Sequence, residues 1–372
     1  MRPGARETIG PPSHFVAGSR LGFGAWAVGG AGWGTPGDAV EREAAVRRAL
    51  ERGVTFFDTA PAYGDGESER LLGRALAGRR ERVVLATKVG PRDDPRASLD
   101  ASLRRLRTDY VDLIQLHETL DGWEHRLGDL GRLREEGKAR AVGLCNATHK
   151  DLERAAPITP VAACQGPYNL FDRDVETRVL PLCATREIAF LAYRPLASGL
   201  LTGKFSMPPV FGDGDHRGRI YWFKGPEFER RHGVIERLRP LAERAGVSLA
   251  ALALGWALAR PGVSVVLAGA RTAAQVDENL QALERPLAED AVAEIDALVA
   301  EAFRLPGATP RAREAARDWG ERERFVVERL DGRRTAEEIA AEWTDRGEKP
   351  MVAAQVKVFA DRLAHDGYTD GS

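Results

Sequence analysis

The sequence predicts an α/β protein: a (β/α)8, or TIM, barrel over residues 1–303, a linker over 304–320 and a small α-rich domain over 321–372. Three observations predict it. Short aliphatic or β-branched runs without clean alternation recur along the first 300 residues, as strands covered on both faces do. Amphipathic stretches separate them, so strand starts fall roughly 20 to 30 residues apart, one βα unit each. Beyond about residue 303 the texture changes to a charged stretch and then a compact apolar pattern.

The strand runs, in order, are "RLGFGAW" near residue 20, "VTFF" at 54, "RVVLATK" at 82, "YVDLIQLH" at 110, "ARAVGLC" at 139, "VAACQ" at 161, "IAFLAY" at 188 and "VSVVLAG" at 263. Eight such units suit closure into a barrel. Helical patterns such as "DAVEREAAVRRALERG", "ESERLLGRALAG" and "ASLDASLRRLRTD" lie between them, several ending in Gly, Asn or Asp as helix C-termini do. The competing doubly wound sheet calls for a phosphate-binding GxGxxG after the first strand. "GFGAWAVGGAGWG" at 22–34 is glycine-rich but lacks that spacing, and reads as a loop where backbone or ligand approaches closely. The regular spacing fails once, over about 70 residues after "LAYRPL". That gap holds "SMPPVFGDGDHRGRIYWFKGPEF" and then a helix pair over about 227–260. Long irregular loops at a barrel's active-site end are usually functional, and Ile220, Tyr221, Trp222 and Phe223 need packing partners. In the tail, Thr335 and Glu338 form a T-x-x-E capping box before Ile339 and Trp343. A last helix over about 350–365 lines up Val352, Val356, Phe359 and Leu363.

Composition narrows the function classes. A net charge of −1, with 43% hydrophobic and 29% charged residues, offers nucleic acid or anionic membrane no global attraction. The N-terminal stretch lacks the apolar core of a secretory signal, and no run approaches the ~18 apolar residues of a membrane span. Cys145, Cys164 and Cys183 form no CxxC pair, which fits reduced thiols in a cytoplasmic protein, and no His/Cys cluster has metal-ligand spacing.

The chemistry gathers at the strand ends. Asp58 and Tyr63 follow the second strand, Lys88 ends the third and His117 ends the fourth. Alone, the aspartate reads as a helix cap, the lysine as surface and the histidine as a satisfied polar group. Together they occupy one end of neighbouring barrel strands, where barrel enzymes do chemistry. A tyrosine titrates near 10, and an adjacent ammonium lowers that value. Lys88 supplies the charge, Asp58 holds Lys88, and His117 orients a carbonyl oxygen or assists proton transfer. Such a site protonates an alkoxide as hydride arrives, and hydride requires a nicotinamide cofactor.

Over about residues 18–300 the sequence resembles the aldo-keto reductase superfamily. The motifs are "FFDTAPAYGDGESERLLGRAL", "SLRRLRTDYVDLIQLH", "QGPYNLFDR", "AYRPLASGLLTGKF" and "GARTAAQVDENLQAL". The resemblance implies a catalytic tetrad of Asp58, Tyr63, Lys88 and His117. It also implies cofactor contacts from Asn146 and Gln165 to the carboxamide, and from Tyr193 to the nicotinamide ring. Leu196 and Ser198 fall in the pyrophosphate stretch. Gly269, Ala270, Arg271, Gln275 and Asn279 fall at the adenosine end. Three positions depart from the family's usual residues: Cys145-Asn146-Ala147, Arg194, and the region of Gly269. The last leaves Arg271 as the cation for a 2′-phosphate, so NADPH is the expected cofactor with NADH not excluded. Trp26, Trp33 and the aromatics at 221–223 are candidate walls for a small-molecule carbonyl substrate. No charged clamp for a sugar phosphate or acid stands out. The tail, through "LDGRRTAEEIA" and its closing helix, resembles the small winged-helix-like PqqD-type domains that bind leader peptides. That implies a peptide as its partner. Packing or dimerisation with a second protomer is the alternative. Nine basic against twelve acidic residues over 321–372 argue against DNA. The function expected is carbonyl reduction, in specialised-metabolite or modified-peptide biosynthesis. The alternative is a cofactor-binding regulatory or scaffold protein on a reductase fold.

Overall fold

The computed structural model describes residues 19–34, 37–304, 312, 316, 321–345, 353–365 and 369. Eight parallel strands close into a barrel in sequence order, which excludes the doubly wound sheet. They are β1 (Leu21–Gly24), β2 (Phe56–Asp58), β3 (Val84–Val89), β4 (Val111–Leu116), β5 (Ala139–Cys145), β6 (Ala163–Pro167), β7 (Ala189–Tyr193) and β8 (Val263–Ala268). Each falls on a run that the sequence reading picked out. The surrounding helices are α1 (Ala39–Glu51), α2 (Glu67–Ala75), α3 (Pro95–Leu106), α4 (Trp123–Glu135), α5 (His149–Ala155), α6 (Val179–Thr185), α7 (Gly225–Ala245), α8 (Leu249–Ala259), α9 (Ala273–Glu284) and α10 (Glu289–Phe303).

Side-chain caps define where several helices begin. Asp38, Asp94, Ser248 and Thr272 each accept a backbone N–H of the first turn, and Pro95 stands at the first helical position of α3. Thr148 and Asp151 close a reciprocal box at α5.

Inside the barrel, Phe56, Ala86, Leu113, Ala141, Ala163, Ala189, Leu191, Val265 and Leu267 form one buried cluster. Strand side chains alternate, so the residue two further along points the same way. Two steps beyond members of this cluster stand Asp58, Lys88, Gln115, Gln165 and Tyr193. An apolar layer thus ends in a polar one at the strand C-termini. The register holds that layer together, pairing Asp58 with Ala86, Lys88 with Gln115, and Cys145 with Gln165.

The chain divides into two compact units, Met1–Val292 and Ala293–Ser372, a boundary that falls within α10 rather than after it. The second unit contains α11 (Glu321–Arg329), α12 (Ala336–Asp345) and α13 (Ala353–His365). Its core joins Phe325, Ile339, Trp343, Val356, Ala360 and Leu363, and reaches back to Ala312 and Ala316 in the stretch read as a linker. The Thr335–Glu338 box forms, with the Thr335 N–H donating to Glu338 Oε2 at 2.8 Å and the Glu338 N–H to Thr335 Oγ1 at 3.3 Å. Val352 and the N-terminal stretch judged for a signal lie outside the described residues. Among the described residues no single helix is long and apolar enough to cross a membrane.

Candidate active site

Asp58 is the centre of the polar layer. Its Oδ1 accepts from Lys88 Nζ at 2.6 Å, while Oδ2 accepts from Gln165 Nε2 at 2.9 Å and Gln115 Nε2 at 3.3 Å. Lys88 is fully buried and also donates to the Thr59 carbonyl at 2.9 Å. A buried ammonium is tolerable only with such partners. Burial is the largest single effect and works against its charge, but Asp58, with Tyr63 and Cys145, together outweigh it and the lysine is held protonated above its ordinary range.

Tyr63 stands in the turn between β2 and α2. The Lys88 ammonium lies 5.0 Å from its ring centroid, the Trp26 ring stacks on it at 5.9 Å, and the His117 ring meets it edge-on at 5.9 Å. Close backbone contact brings the Tyr63 turn against the glycine-rich loop. Gly64 has φ of 64°, and a Cβ there would fall 2.0 Å from the Gly29 carbonyl oxygen. The tyrosine departs from the sequence expectation in one respect. Lys88 pulls its pKa down as anticipated, but burial is the larger effect and drives it up to about 12. His117 goes the other way, to about 3, because burial and then Lys88 disfavour its cation. Lys88 is therefore flanked by a protonated phenol and a neutral imidazole at neutral pH.

The groups expected around a cofactor form a continuation of the same site. Tyr193 donates to Asn146 Oδ1 at 2.9 Å, and Asn146 Nδ2 donates to the His117 carbonyl at 3.1 Å and Glu118 Oε1 at 3.0 Å. Gln165 Oε1 accepts from Cys145 Sγ at 3.2 Å, so the cysteine serves as a hydrogen-bond donor.

A cavity of about 350 Å³ opens over this layer. Asp58, Tyr63, Gln165, Tyr193, Leu196, Ser198, Gly269, Ala270, Arg271, Gln275 and Asn279 line it, as do Trp26 and Trp33. Lys88, His117 and Asn146 adjoin that lining: Lys88 is bonded to Asp58, the His117 ring meets Tyr63 edge-on, and Asn146 is bonded to Tyr193. The aromatics at 221–223 do not line it, contrary to expectation. Phe223 is buried against Phe205 and Phe211, Trp222 is buried with Arg194 5.2 Å from its ring, and Tyr221 is half exposed.

The structure adds residues that sequence reasoning missed. Gln115 is one, and its two-residue spacing from Leu113 was the available signal. Lys204 and Arg217 also line the cavity, as does Arg194, already noted as a departure from the family's usual residue. Lys204 makes no ion pair among the described residues, and burial followed by Arg217 and Arg271 pushes its pKa down. Ser198 sits in a run of left-handed backbone, Ala197 (φ 48°), Ser198 (φ 58°) and Gly199 (φ 91°), and its buried Oγ has no hydrogen-bond partner. Strain of this kind in non-glycine residues collects at ligand sites. Converging cations, a strained loop and an orphaned hydroxyl suit an elongated phosphate-bearing ligand.

A strap from the segment after β7 reaches the glycine-rich loop. The His216 ring packs 4.4 Å from both Trp26 and Trp33, and its backbone N–H donates to the Gly32 carbonyl at 3.0 Å. Arg217, paired with Asp215 at 2.6 Å, donates to the Trp33 carbonyl at 3.5 Å.

Comparison with known proteins agrees with this architecture. A model of the Aldo/keto reductase family matches residues 20–300. The aldo-keto reductase YhdN of Bacillus subtilis is 37% identical over 279 residues, 70% of this chain and 84% of the relative. An NADH-specific methylglyoxal reductase of Escherichia coli is 32% identical over 307 residues, 73% of this chain and 91% of the relative. The crystal structure of an aldo/keto reductase from Klebsiella pneumoniae in complex with NADP and acetate superimposes with a TM-score of 0.61 at 28% identity. That alignment covers 79% of this chain and 96% of that one.

Proposed function

Since the chain belongs to the aldo/keto reductase family, we propose that it reduces an aldehyde or ketone to an alcohol, with Tyr63 as the proton donor and NADPH as the cofactor. The observation that carries this reading is the Tyr63–Lys88–Asp58 cluster at the edge of a cavity with phosphate-suited chemistry at its other side.

NADPH, when bound, would supply the hydride for the carbonyl carbon. The protein's own part is positioning and proton management. Neutral His117 directs an N–H at the carbonyl oxygen without competing as a cation. Tyr63 releases its proton to that oxygen. A phenol near 12 is still a far stronger acid than an alcohol comparable with water at ~15.7, so the transfer runs downhill. Lys88 offsets the phenolate left behind, Asp58 keeps Lys88 in place, and solvent restores the phenolic proton. Trp26 and Trp33 wall the substrate side. Asn146, Gln165 and Tyr193 would hold the nicotinamide. Leu196, Ser198 and Lys204 suit the pyrophosphate, and Gly269, Ala270, Arg271, Gln275 and Asn279 suit the adenosine end. Arg271 supports NADPH, and the ratio of kcat/KM for NADPH to that for NADH measures the preference.

We place this chemistry in the cytoplasm, in specialised-metabolite or modified-peptide biosynthesis. The second unit, by its sequence resemblance, would recruit a peptide or a second protomer. Loss of peptide binding on truncation after residue 310 would test that role.

The central test is Tyr63→Phe. NADPH affinity should stay within a few-fold, while single-turnover reduction of an activated aldehyde should slow about 10²-fold or more. Full turnover by the variant would remove Tyr63 as the acid.

A further inference from the structure

Arg194, like Lys204, is a cavity cation that no carboxylate answers among the described residues. Its neighbour in the cavity, Arg217, is locked to Asp215. Arg194 makes no side-chain hydrogen bond and no ion pair among the described residues, and its Nε is buried without an acceptor. The guanidinium rests 5.2 Å from the Trp222 ring, a contact that holds it in place and leaves its N–H fork uncommitted. The root of the side chain is equally fixed. Arg194 has a left-handed φ of 54°, and its carbonyl accepts from Asn169 Nδ2 at 3.1 Å and from the Ala197 N–H at 2.9 Å. Retaining a long cationic residue in such backbone implies that its direction matters. Arg194 directly follows Tyr193 and shares the cavity with Tyr63 and Trp26, and its charge acts on Tyr193 and on His216, whose ring packs on Trp26.

We propose that the carbonyl substrate carries a carboxylate or comparable anionic group, and that Arg194 is the residue that binds it. The inference rests on the carbonyl-reductase reading and sharpens it. A planar guanidinium with free donors matches a carboxylate in a two-point contact, and a partly buried site strengthens that pairing. The same chemistry exists in a cofactor pyrophosphate, so the test separates the two sources.

The probes are 4-carboxybenzaldehyde and its methyl ester, which differ in charge, with the ester the more activated aldehyde, so a preference for the acid must come from binding. The full-length enzyme should favour the acid in kcat/KM by about ten-fold or more, through KM. Arg194→Asn, whose side chain tolerates left-handed backbone, should abolish that preference, and Arg194→Lys should restore part of it. A binding arm needs no turnover. Terephthalate should quench tryptophan fluorescence in the wild type and bind about ten-fold more weakly to Arg194→Asn, while the NADPH Kd changes less than two-fold. Equal use of acid and ester by the wild type would overturn the proposal and leave the reductase reading intact. A collapse of NADPH affinity with the acid preference retained would overturn it too, assigning Arg194 to the pyrophosphate. Should neither aldehyde turn over, the reductase reading fails, and the terephthalate titration alone decides whether Arg194 binds carboxylates.

Discussion

At Tyr63 two effects oppose each other, and burial outweighs the Lys88 ammonium. An acid must be protonated to act, so a value near 12 keeps the donor loaded across the whole physiological range. His117, near 3, does not titrate there either. The rate of the chemical step should therefore be flat from about pH 5 to pH 10 and fall only as Tyr63 ionises above that. A pH profile of single-turnover reduction checks this, and a basic limb centred near 8 would contradict it. Asp58 is the residue on which the arrangement depends. Asp58→Asn leaves a buried ammonium with the Thr59 carbonyl, the Tyr63 hydroxyl and an amide but no anion, at a cost of about 3–5 kcal/mol. In that variant the folded Lys88 pKa should drop below its unfolded value of ~10.4, so the unfolded chain binds more protons in the window between the two values. The stability deficit should accordingly shrink as pH rises towards 10, which urea unfolding at several pH values measures.

Between elements, the strap after β7 is joined to the loop after β1 chiefly through His216, whose ring lies against both Trp26 and Trp33. His216→Ala removes both aromatic contacts and the ring nitrogen's contact with the Gly32 carbonyl, leaving the backbone bond to Gly32 and the Arg217 contact with Trp33, so the strap should open more often. Stopped-flow release of NADPH should speed up about ten-fold, with kcat unchanged or raised where release limits turnover. An unchanged release rate would show that the strap does not gate the cofactor. Sequence legibility divides at this scale. All eight strands were readable, because strands covered on both faces leave uninterrupted aliphatic runs at a regular pitch. The placement of Asp58, Lys88 and His117 was readable because they end those runs, and that of Tyr63 because its turn directly follows one. Arg217 and Lys204 were not, because an irregular loop has no periodicity from which to infer direction. The aromatics at 221–223 misled for the same reason. Their hydrophobicity announces burial, and it is the fold that buries Phe223 against Phe205 and Phe211 instead of the cavity.

For the molecule as a whole, two compact units with separate cores imply two thermal transitions. The second unit spans residues 293–372, and a unit of that size stores roughly 4–12 kcal/mol at the usual ~0.05–0.15 per residue. Trp343 is 3% exposed and meets the Phe325 ring at 5.0 Å, so Trp343→Ala removes about 3–5 kcal/mol from that store. Small units shift by ~4–8 °C per kcal/mol, and the variant's lower transition should therefore fall by well over 10 °C or disappear. NADPH acts on the other unit. At a hundred times its Kd it adds about 2.7 kcal/mol to the barrel, worth ~5–10 °C for a domain of this length. Calorimetry with the two perturbations crossed should show the substitution moving one transition and the cofactor the other. A single transition moved by both would mean that the two cores unfold as one.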